Sequence, residues 1–537
     1  MVTASSAPAA SSAPAAPSAA RSTGSSAAEV YAGLAALESP CFVVERGGAV
    51  AVTNDESVAR SPGVRLLAAA PPRSPDQFGS PDFRADHGVA HPYMAGAMAN
   101  GIASERLVVA MARSGYLASY GAAGMVSGRV DAALATIRRE APGLAFACNL
   151  IHSPSEPEME RSTVDLCLRH EVRCVEASAF LELTPHVVRY RLAGLRRDGQ
   201  GRVVGANRVI AKVSRLEVAE LFMRPAPEHL VRALVDAGAI TAAQAELARD
   251  VPVADDVTVE ADSGGHTDRR PLTALLPEVM RLAERIRREQ GYPRAIRVGA
   301  AGGIGTPEAA LAAFSLGAAY VVTGSINQAS VESGQSDAAK RLLAQAGLAD
   351  CDMAPSSDMF ELGVEVQVLR RGTMFPARAR RLYELYRAYD GVEHLPPAER
   401  ANLETKILKR PVDDVWDDTV RYFTERDPDQ ITRAAGDPKR KMALIFRWYL
   451  GLSSTWSIGG HPDRLSDYQI WCGPAMGAFN GWVAGTVLAP PEHRRVADLA
   501  GHIMRGAAFA DRAGQLKLRG VRLPAGALSY RPAPPKE

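Results

Sequence analysis

Between residues 93 and 323 the sequence repeats one rhythm eight times: a short run rich in Val, Ile and Ala, then a longer amphipathic stretch. The runs at 93–98, 116–120, 144–151, 172–180, 209–214, 257–262, 296–301 and 319–323 read as strands. The stretches between them, among them 105–113, 129–140, 157–170, 272–290 and 307–316, read as helices. Continuously apolar strands are buried on both faces, and strand–helix alternation calls for a parallel sheet. Eight such units in roughly 240 residues fit a closed (β/α)8 barrel, an α/β TIM-barrel fold, better than an open sheet. Chemistry in that architecture sits at the C-terminal ends of the strands, so the polar residues there become the candidates.

The flanks read differently. Residues 1–28 are almost entirely Ala, Ser and Pro; such a segment buries too little apolar surface to offset its ordering entropy and is expected as a flexible tail. It lacks the charged start, apolar centre and cleavage site of a secretory leader. Residues 29–91 form a small preface with a helix at 29–37 and a hairpin at 41–52 turning on Gly47-Gly48. The barrel is expected over 92–335 and a mainly helical second domain over 336–524, placed to cover the barrel mouth, with a flexible tail at 525–537.

Sixty-two Lys and Arg against 60 Asp and Glu leave a net charge of +2, too little to hold nucleic acid or an anionic membrane by a general field. No window approaches the roughly 18 apolar residues of a spanning helix. Six cysteines without a CxxC pair exclude a zinc ribbon, a ferredoxin cluster or a disulfide framework and suit a reducing cytoplasm. No metal site is expected, and GxSxG, HExxH, P-loop and EF-hand spacings are absent.

The strongest local signal is Ile296-Arg-Val-Gly-Ala-Ala-Gly-Gly-Ile-Gly-Thr306, followed by a helix and Tyr320-Val-Val-Thr-Gly-Ser325. Glycines after the seventh and eighth strands let backbone N–H groups approach a phosphate, so Gly302, Gly303, Gly324 and Ser325 form a candidate cradle. After the sixth strand, His266 follows Ser263, Gly264 and Gly265 at the mouth, where a glycine pair admits a planar ligand and an imidazole moves protons near neutrality. Lys212 is a lone cation in the apolar strand 209–214. Its burial requires a negative partner: a structural carboxylate such as Glu176 or Glu260, or the electron-rich edge of a reduced flavin. Asn149, at the end of the third strand, offers donors and an acceptor to such an edge. The basic runs 378–381 and 439–441 read as solvated helix faces, or as docking sites for an acidic carrier domain.

Four segments carry a resemblance: Tyr93-Met-Ala-Gly-Ala-Met-Ala-Asn-Gly-Ile-Ala-Ser104, Phe146-Ala-Cys-Asn-Leu-Ile-His-Ser153, Val259-Glu-Ala-Asp-Ser-Gly-Gly-His266 and Gly299-Ala-Ala-Gly-Gly-Ile-Gly-Thr-Pro-Glu308. With Trp471-Cys-Gly-Pro-Ala-Met-Gly-Ala-Phe-Asn480, they resemble the PfaD-type trans-acting enoyl reductases of polyketide and polyunsaturated fatty acid synthases. The wider kinship is with FMN-dependent enoyl reductases and nitronate monooxygenases. The resemblance implies FMN as cofactor, its phosphate at Gly303, Gly324 and Ser325, and isoalloxazine contacts from Gly96, Ala97, Met98 and Asn149. It also places Lys212 near the ring, the Ser263–Gly265 turn beside it and His266 at the active face. It implies NADPH, or NADH, as reductant, and a 2,3-enoyl thioester on an acyl carrier protein as substrate. A homodimer is compatible with it. The alternative it carries is a nitronate monooxygenase using O2.

Overall fold

The computed structural model describes residues 26–152 and 157–533. Most of the Ala/Ser/Pro segment, up to residue 25, lies outside the described residues. The barrel expected from the alternation is present. Eight strands, β1 (Tyr93–Ala95), β2 (Leu117–Tyr120), β3 (Ala147–Ile151), β4 (Cys174–Ser178), β5 (Arg208–Val213), β6 (Asp256–Glu260), β7 (Arg297–Ala301) and β8 (Val321–Thr323), close into one parallel barrel in sequence order. Strands such as β2 and β7 are buried along their whole length, which is why they show no alternation. The strands are shorter than the apolar runs because the chain leaves the ladder before the run ends and enters the loops that carry the chemistry.

The N-terminal end of the barrel is closed by the helix Pro81–His87, started by Ser80 and stopped by left-handed Gly88. Its Phe83 is fully buried and stacks on Tyr320, centroids 4.2 Å apart. Gly299 makes room for that ring, since a Cβ there would come within 2.4 Å of it. Beside this apolar floor lies a sealed ion network. Asp256 takes Arg297 Nε at 2.5 Å and Nη2 at 2.9 Å, and His87 Nε2 at 2.8 Å, with the Asp256 side chain fully buried. Arg297 also reaches Asp86 at 2.6 Å.

Beyond residue 335 the expected helical region is helical only in part. Cys351–Pro355 and Glu365–Leu369 pair antiparallel, and Gly265–His266 from the loop after β6 joins the same sheet, with His266 opposite Val366. The first two form a local hairpin of short runs inside a helix-rich stretch, and only Gly265–His266 joins them from far away in sequence. The helices Phe375–Ala388, Val412–Arg426, Pro438–Gly459 and Ala475–Val483 follow. No helix among the described residues is long and apolar enough to cross a membrane.

Contacts divide the chain into two compact units: residues up to Ser74 with Ala508–Tyr530, and Pro75–Ala507 with the residues after Tyr530. The first unit starts with a capping box, Ser26 and Glu29 each satisfying the other's backbone N–H, before the helix Ala27–Ala35 and a three-stranded sheet. Its hub is Arg512, fully buried. The guanidinium donates to the carbonyls of Leu34, Ala36, Leu37, Ser39 and Pro71 at 2.8–3.3 Å. Residues 525–530, expected to begin a tail, form a turn and place Tyr530 against Phe509. Arg512→Leu orphans several buried carbonyls and is expected to destabilise this unit by about 3 kcal/mol, read as earlier proteolysis within residues 26–74 than in the wild-type protein.

Candidate functional site

At the C-terminal end of the barrel, neighbouring strands bring charged side chains together. Lys212 on β5 lies 3.1 Å from Glu260 Oε1 on β6, and both side chains are about four-fifths buried. Burial opposes the ammonium, but Glu260 and Glu176 outweigh it and the Lys212 pKa is raised. Of the two readings left open for this lysine, a carboxylate partner is therefore present, and it is Glu260. Ser263 Oγ donates to the same Glu260 oxygen at 3.1 Å.

In the sequence, Glu176 on β4 stands out only as a partner for Lys212. Its Oε2 accepts the Ala97 N–H at 2.8 Å, while its Oε1 is buried with no partner. That oxygen faces Gly96, where a Cβ would stand 3.6 Å from it. The sequence signal was the one that marked Lys212, a single charge in an apolar strand. Asn149 on β3 is buried, and its amide nitrogen is spent on the protein, donating to Glu176 O at 3.1 Å and Ser178 Oγ at 2.9 Å. Only its carbonyl oxygen remains to meet a ligand, rather than the donors and acceptor expected. Met98 is buried close by in sequence, in the turn after β1.

His266 is half exposed, and its Nε2 lies 3.4 Å from Asp358 Oδ1. Partial burial works against the imidazolium, but Asp358 and then Glu260 outweigh it and raise the His266 pKa; desolvation of Asp358 is likewise overcome by His266, which lowers the carboxyl pKa. The charged pair is present below the raised pKa and is lost as pH climbs through it. The turn that holds His266 is built backbone on backbone. A Cβ on Gly264 would stand 2.8 Å from Cys472 N, and one on Gly473 would stand 2.9 Å from Gly264 N. Gly265 has φ +85° and sits beside Trp471. Gln367 Nε2 donates to Asp262 Oδ1 and to Ser263 O at 2.8 and 2.7 Å. Sequence reasoning could not find Asp358 or Gln367, since neither has a local pattern and both reach the site through the antiparallel sheet.

The glycines after β7 and β8 behave differently from one another. Gly302 is structural, with φ +84° and a Cβ position 2.6 Å from Ala261 C. Gly303 and Gly324 face open space, with nothing within 4 Å of a built Cβ. Ser325 Oγ accepts the Gly473 N–H at 3.0 Å, so the loop after residue 470 reaches the glycine cradle as well as the His266 turn. The basic runs are engaged: Lys439 with the carbonyls of Tyr386 and Tyr389, Lys441 with Glu393, Arg378 with Asp467, Arg380 with Asp352. They hold helices together rather than forming an open cationic face. No group of three or more His, Cys, Asp or Glu among the described residues is arranged to hold a metal ion.

Comparison with known proteins bears on the family and the fold. Residues 83–375 match the nitronate monooxygenase family, and residues 389–468 match the inserted helical domain of [acyl-carrier-protein] S-malonyltransferase. A subunit of the polyunsaturated fatty acid synthase of Thraustochytrium sp. is 50% identical over 447 residues, 82% of this chain and 30% of that protein. The polyketide biosynthesis protein PksE of Bacillus subtilis is 46% identical over 430 residues, 80% of this chain and 56% of that protein. The chain thus spans less than two thirds of these relatives. The enoyl reductase domain of MlnA, from the macrolactin biosynthesis cluster of Bacillus amyloliquefaciens, superposes with a TM-score of 0.79 at 36% identity, covering 82% of this chain and 99% of that one.

Proposed function

The chain belongs to the nitronate monooxygenase family, in the branch of PfaD-type enoyl reductases that includes the MlnA domain, and from that premise we propose that it is a trans-acting enoyl reductase. Its substrate is a 2,3-enoyl thioester on the acyl carrier protein of a polyketide or polyunsaturated fatty acid synthase, and its hydride donor is NADPH, with NADH the second choice. The residues present fit FMN. Gly303 and Gly324 leave open space where a phosphate would lie, and Glu176 Oε1 is a buried acceptor without a partner in the wall that Gly96 and Ala97 form. When bound, FMN supplies the two-electron carrier between nicotinamide and alkene.

The chain's own residues do the rest. Gly303, Gly324 and Ser325 hold the phosphate; Gly96, Ala97, Met98 and Asn149 flank the ring system, with Ser263, Gly264 and Gly265 beside it. Lys212, neutralised by Glu260, fixes the floor of the site. His266, whose charged form Asp358 and Glu260 favour against burial, donates to the thioester oxygen as enolate charge develops there. One observation carries the choice of a bulky, carrier-borne substrate over a small nitronate: the chain beyond the barrel builds part of the site itself, through Trp471–Gly473 and Gln367 packed on the His266 turn. The match to the helical domain of a carrier-protein transferase accords with such a partner. The unpaired cysteines accord with a cytoplasmic setting.

His266→Ala separates the two half-reactions. Reduction of the bound flavin by NADPH is expected to persist, while reduction of a crotonyl thioester falls about 10²–10³-fold, the cost of losing one positioned oxyanion donor. Wild-type rates in both half-reactions would remove His266 from the chemistry.

A further inference from the structure

Two thiols that the chemistry does not use meet beside the His266 turn. Cys351 Sγ and Cys472 Sγ are 3.8 Å apart, although 121 residues separate them in the chain. The antiparallel sheet brings them together. Cys351 opens the strand Cys351–Pro355 opposite Leu369. Leu369 N–H donates to Ile470 O at 2.8 Å and Cys472 N–H to Gln367 O at 3.3 Å, which lays residues 470–472 along the same sheet. Cys472 is fully buried, whereas Cys351 is the one cysteine of the six that is not buried. The pair therefore has one member that a small oxidant can reach and one that waits behind it.

Cys472 also stands where the mouth has least slack. A Cβ on Gly264 would come within 2.8 Å of Cys472 N, and one on Gly473 within 2.9 Å of Gly264 N. The Gly473 N–H is held by Ser325 Oγ at 3.0 Å. A shift of Cys472 is thus passed by backbone contact to the turn that carries His266. The Cys351 contact and burial push the Cys472 thiol pKa well up, so Cys472 keeps its proton and attack on an oxidant falls to Cys351.

We propose that Cys351 and Cys472 form a dithiol–disulfide site through which hydrogen peroxide reversibly switches the enzyme off; the effect on turnover rests on the enoyl reductase reading, and the thiol chemistry does not. The Cys351 thiolate attacks the peroxide: an S–O bond forms, the O–O bond breaks, and hydroxide leaves to become water with the thiol proton, giving a sulfenic acid. The Cys472 sulfur then attacks the Cys351 sulfur. An S–S bond forms, the S–O bond breaks, and hydroxide leaves with the Cys472 proton as a second water. Two thiols lose two electrons and one peroxide gains them. A disulfide is about 2.05 Å long, so the two sulfurs must close most of their 3.8 Å separation, and residues 471–473 move with Cys472. Transient disulfides of this kind are the redox-sensing ones of a reducing compartment.

The test uses the full-length FMN-loaded protein, treated with hydrogen peroxide, cleared with catalase, alkylated without reduction and mapped by mass spectrometry. One cross-linked peptide pair is expected, holding Cys351 and Cys472, two hydrogens lighter than the free peptides and reversed by dithiothreitol. Anaerobic reoxidation of the NADPH-reduced protein by crotonyl-N-acetylcysteamine is expected to slow about 100-fold, the effect of an ångström-scale misplacement, and to recover with dithiothreitol. Cys351→Ser is expected to keep wild-type turnover before and after peroxide. Cys472→Ala is judged by mass alone: no cross-link, with Cys351 carried on to the sulfinic acid. If that variant does not fold, the wild-type map and Cys351→Ser carry the test. Both thiols alkylated after peroxide, a cross-linked protein with undiminished turnover, or equal inactivation of Cys351→Ser overturns the proposal. A cross-link that forms in a protein NADPH does not reduce leaves the thiol site standing and contradicts the reading of function instead.

Discussion

Arg297→Leu is expected to lower the stability of the barrel by about 3–5 kcal/mol, the usual consequence of removing one partner of a buried ion pair. The reason lies in what stays behind. Asp256 is fully buried and takes two of the guanidinium's hydrogen bonds; without them its carboxylate keeps only His87. Asp86 loses its shortest contact at the same time. The change sits at the N-terminal floor of the barrel, opposite the candidate site, so urea midpoints are expected to fall while flavin affinity in the folded fraction is kept.

The same cluster gives a signed pH dependence. Burial alone would raise the Asp256 pKa, but His87 and Arg297 overcome it and hold the carboxyl well below its ordinary value. An unfolded aspartate binds its proton near pH 3.9. Below that pH the unfolded chain takes up a proton that the native Asp256 does not, so the stability contributed by the cluster is complete above about pH 4–5 and is lost as pH falls further. Urea titrations from pH 7 to pH 3 are expected to show the loss at the acid end. A stability unchanged by Arg297→Leu at pH 7 would show that the network contributes nothing.

The second large effect is expected from Gly324→Asp. Gly324 follows β8, its built Cβ meets nothing within 4 Å, and its φ is −129°, so the added side chain has room in the protein alone. It also places a carboxylate where the proposed phosphate would lie, and opposed like charges cost several kcal/mol. FMN affinity is expected to fall at least about 100-fold, about 2.7 kcal/mol, while the melting temperature of the apoprotein moves little. Gly264→Ala offers the contrast: its Cβ meets the backbone of Cys472 at 2.8 Å, so folding of the mouth itself should suffer. Equal FMN affinity in wild type and Gly324→Asp would place the phosphate elsewhere.

The sequence made the barrel legible because parallel strands buried on both faces announce themselves as unbroken apolar runs, and the segments between them are long enough to show helical periodicity. Its glycine turns were legible for the same reason: Gly302 and Gly303 end a recognisable strand. Lys212 advertised its need for a carboxylate, though only the closed barrel, which sets β5 beside β6, selects Glu260. What stayed hidden depends on pairings across long separations. Gly265–His266 joins Glu365–Leu369 a hundred residues on, and a two-residue run carries no local mark of a strand. Asp358 and Gln367 reach the site through that sheet.

The account as a whole is tested most directly by the visible spectrum of the purified protein under anaerobic conditions, with NADPH and then a crotonyl-loaded acyl carrier protein added in turn. A yellow protein is expected, bleached by the nucleotide and returned to yellow by the thioester, with one butyryl product formed per flavin. A colourless protein that takes up no FMN would contradict the account, and so would a reduced flavin that only oxygen can reoxidise.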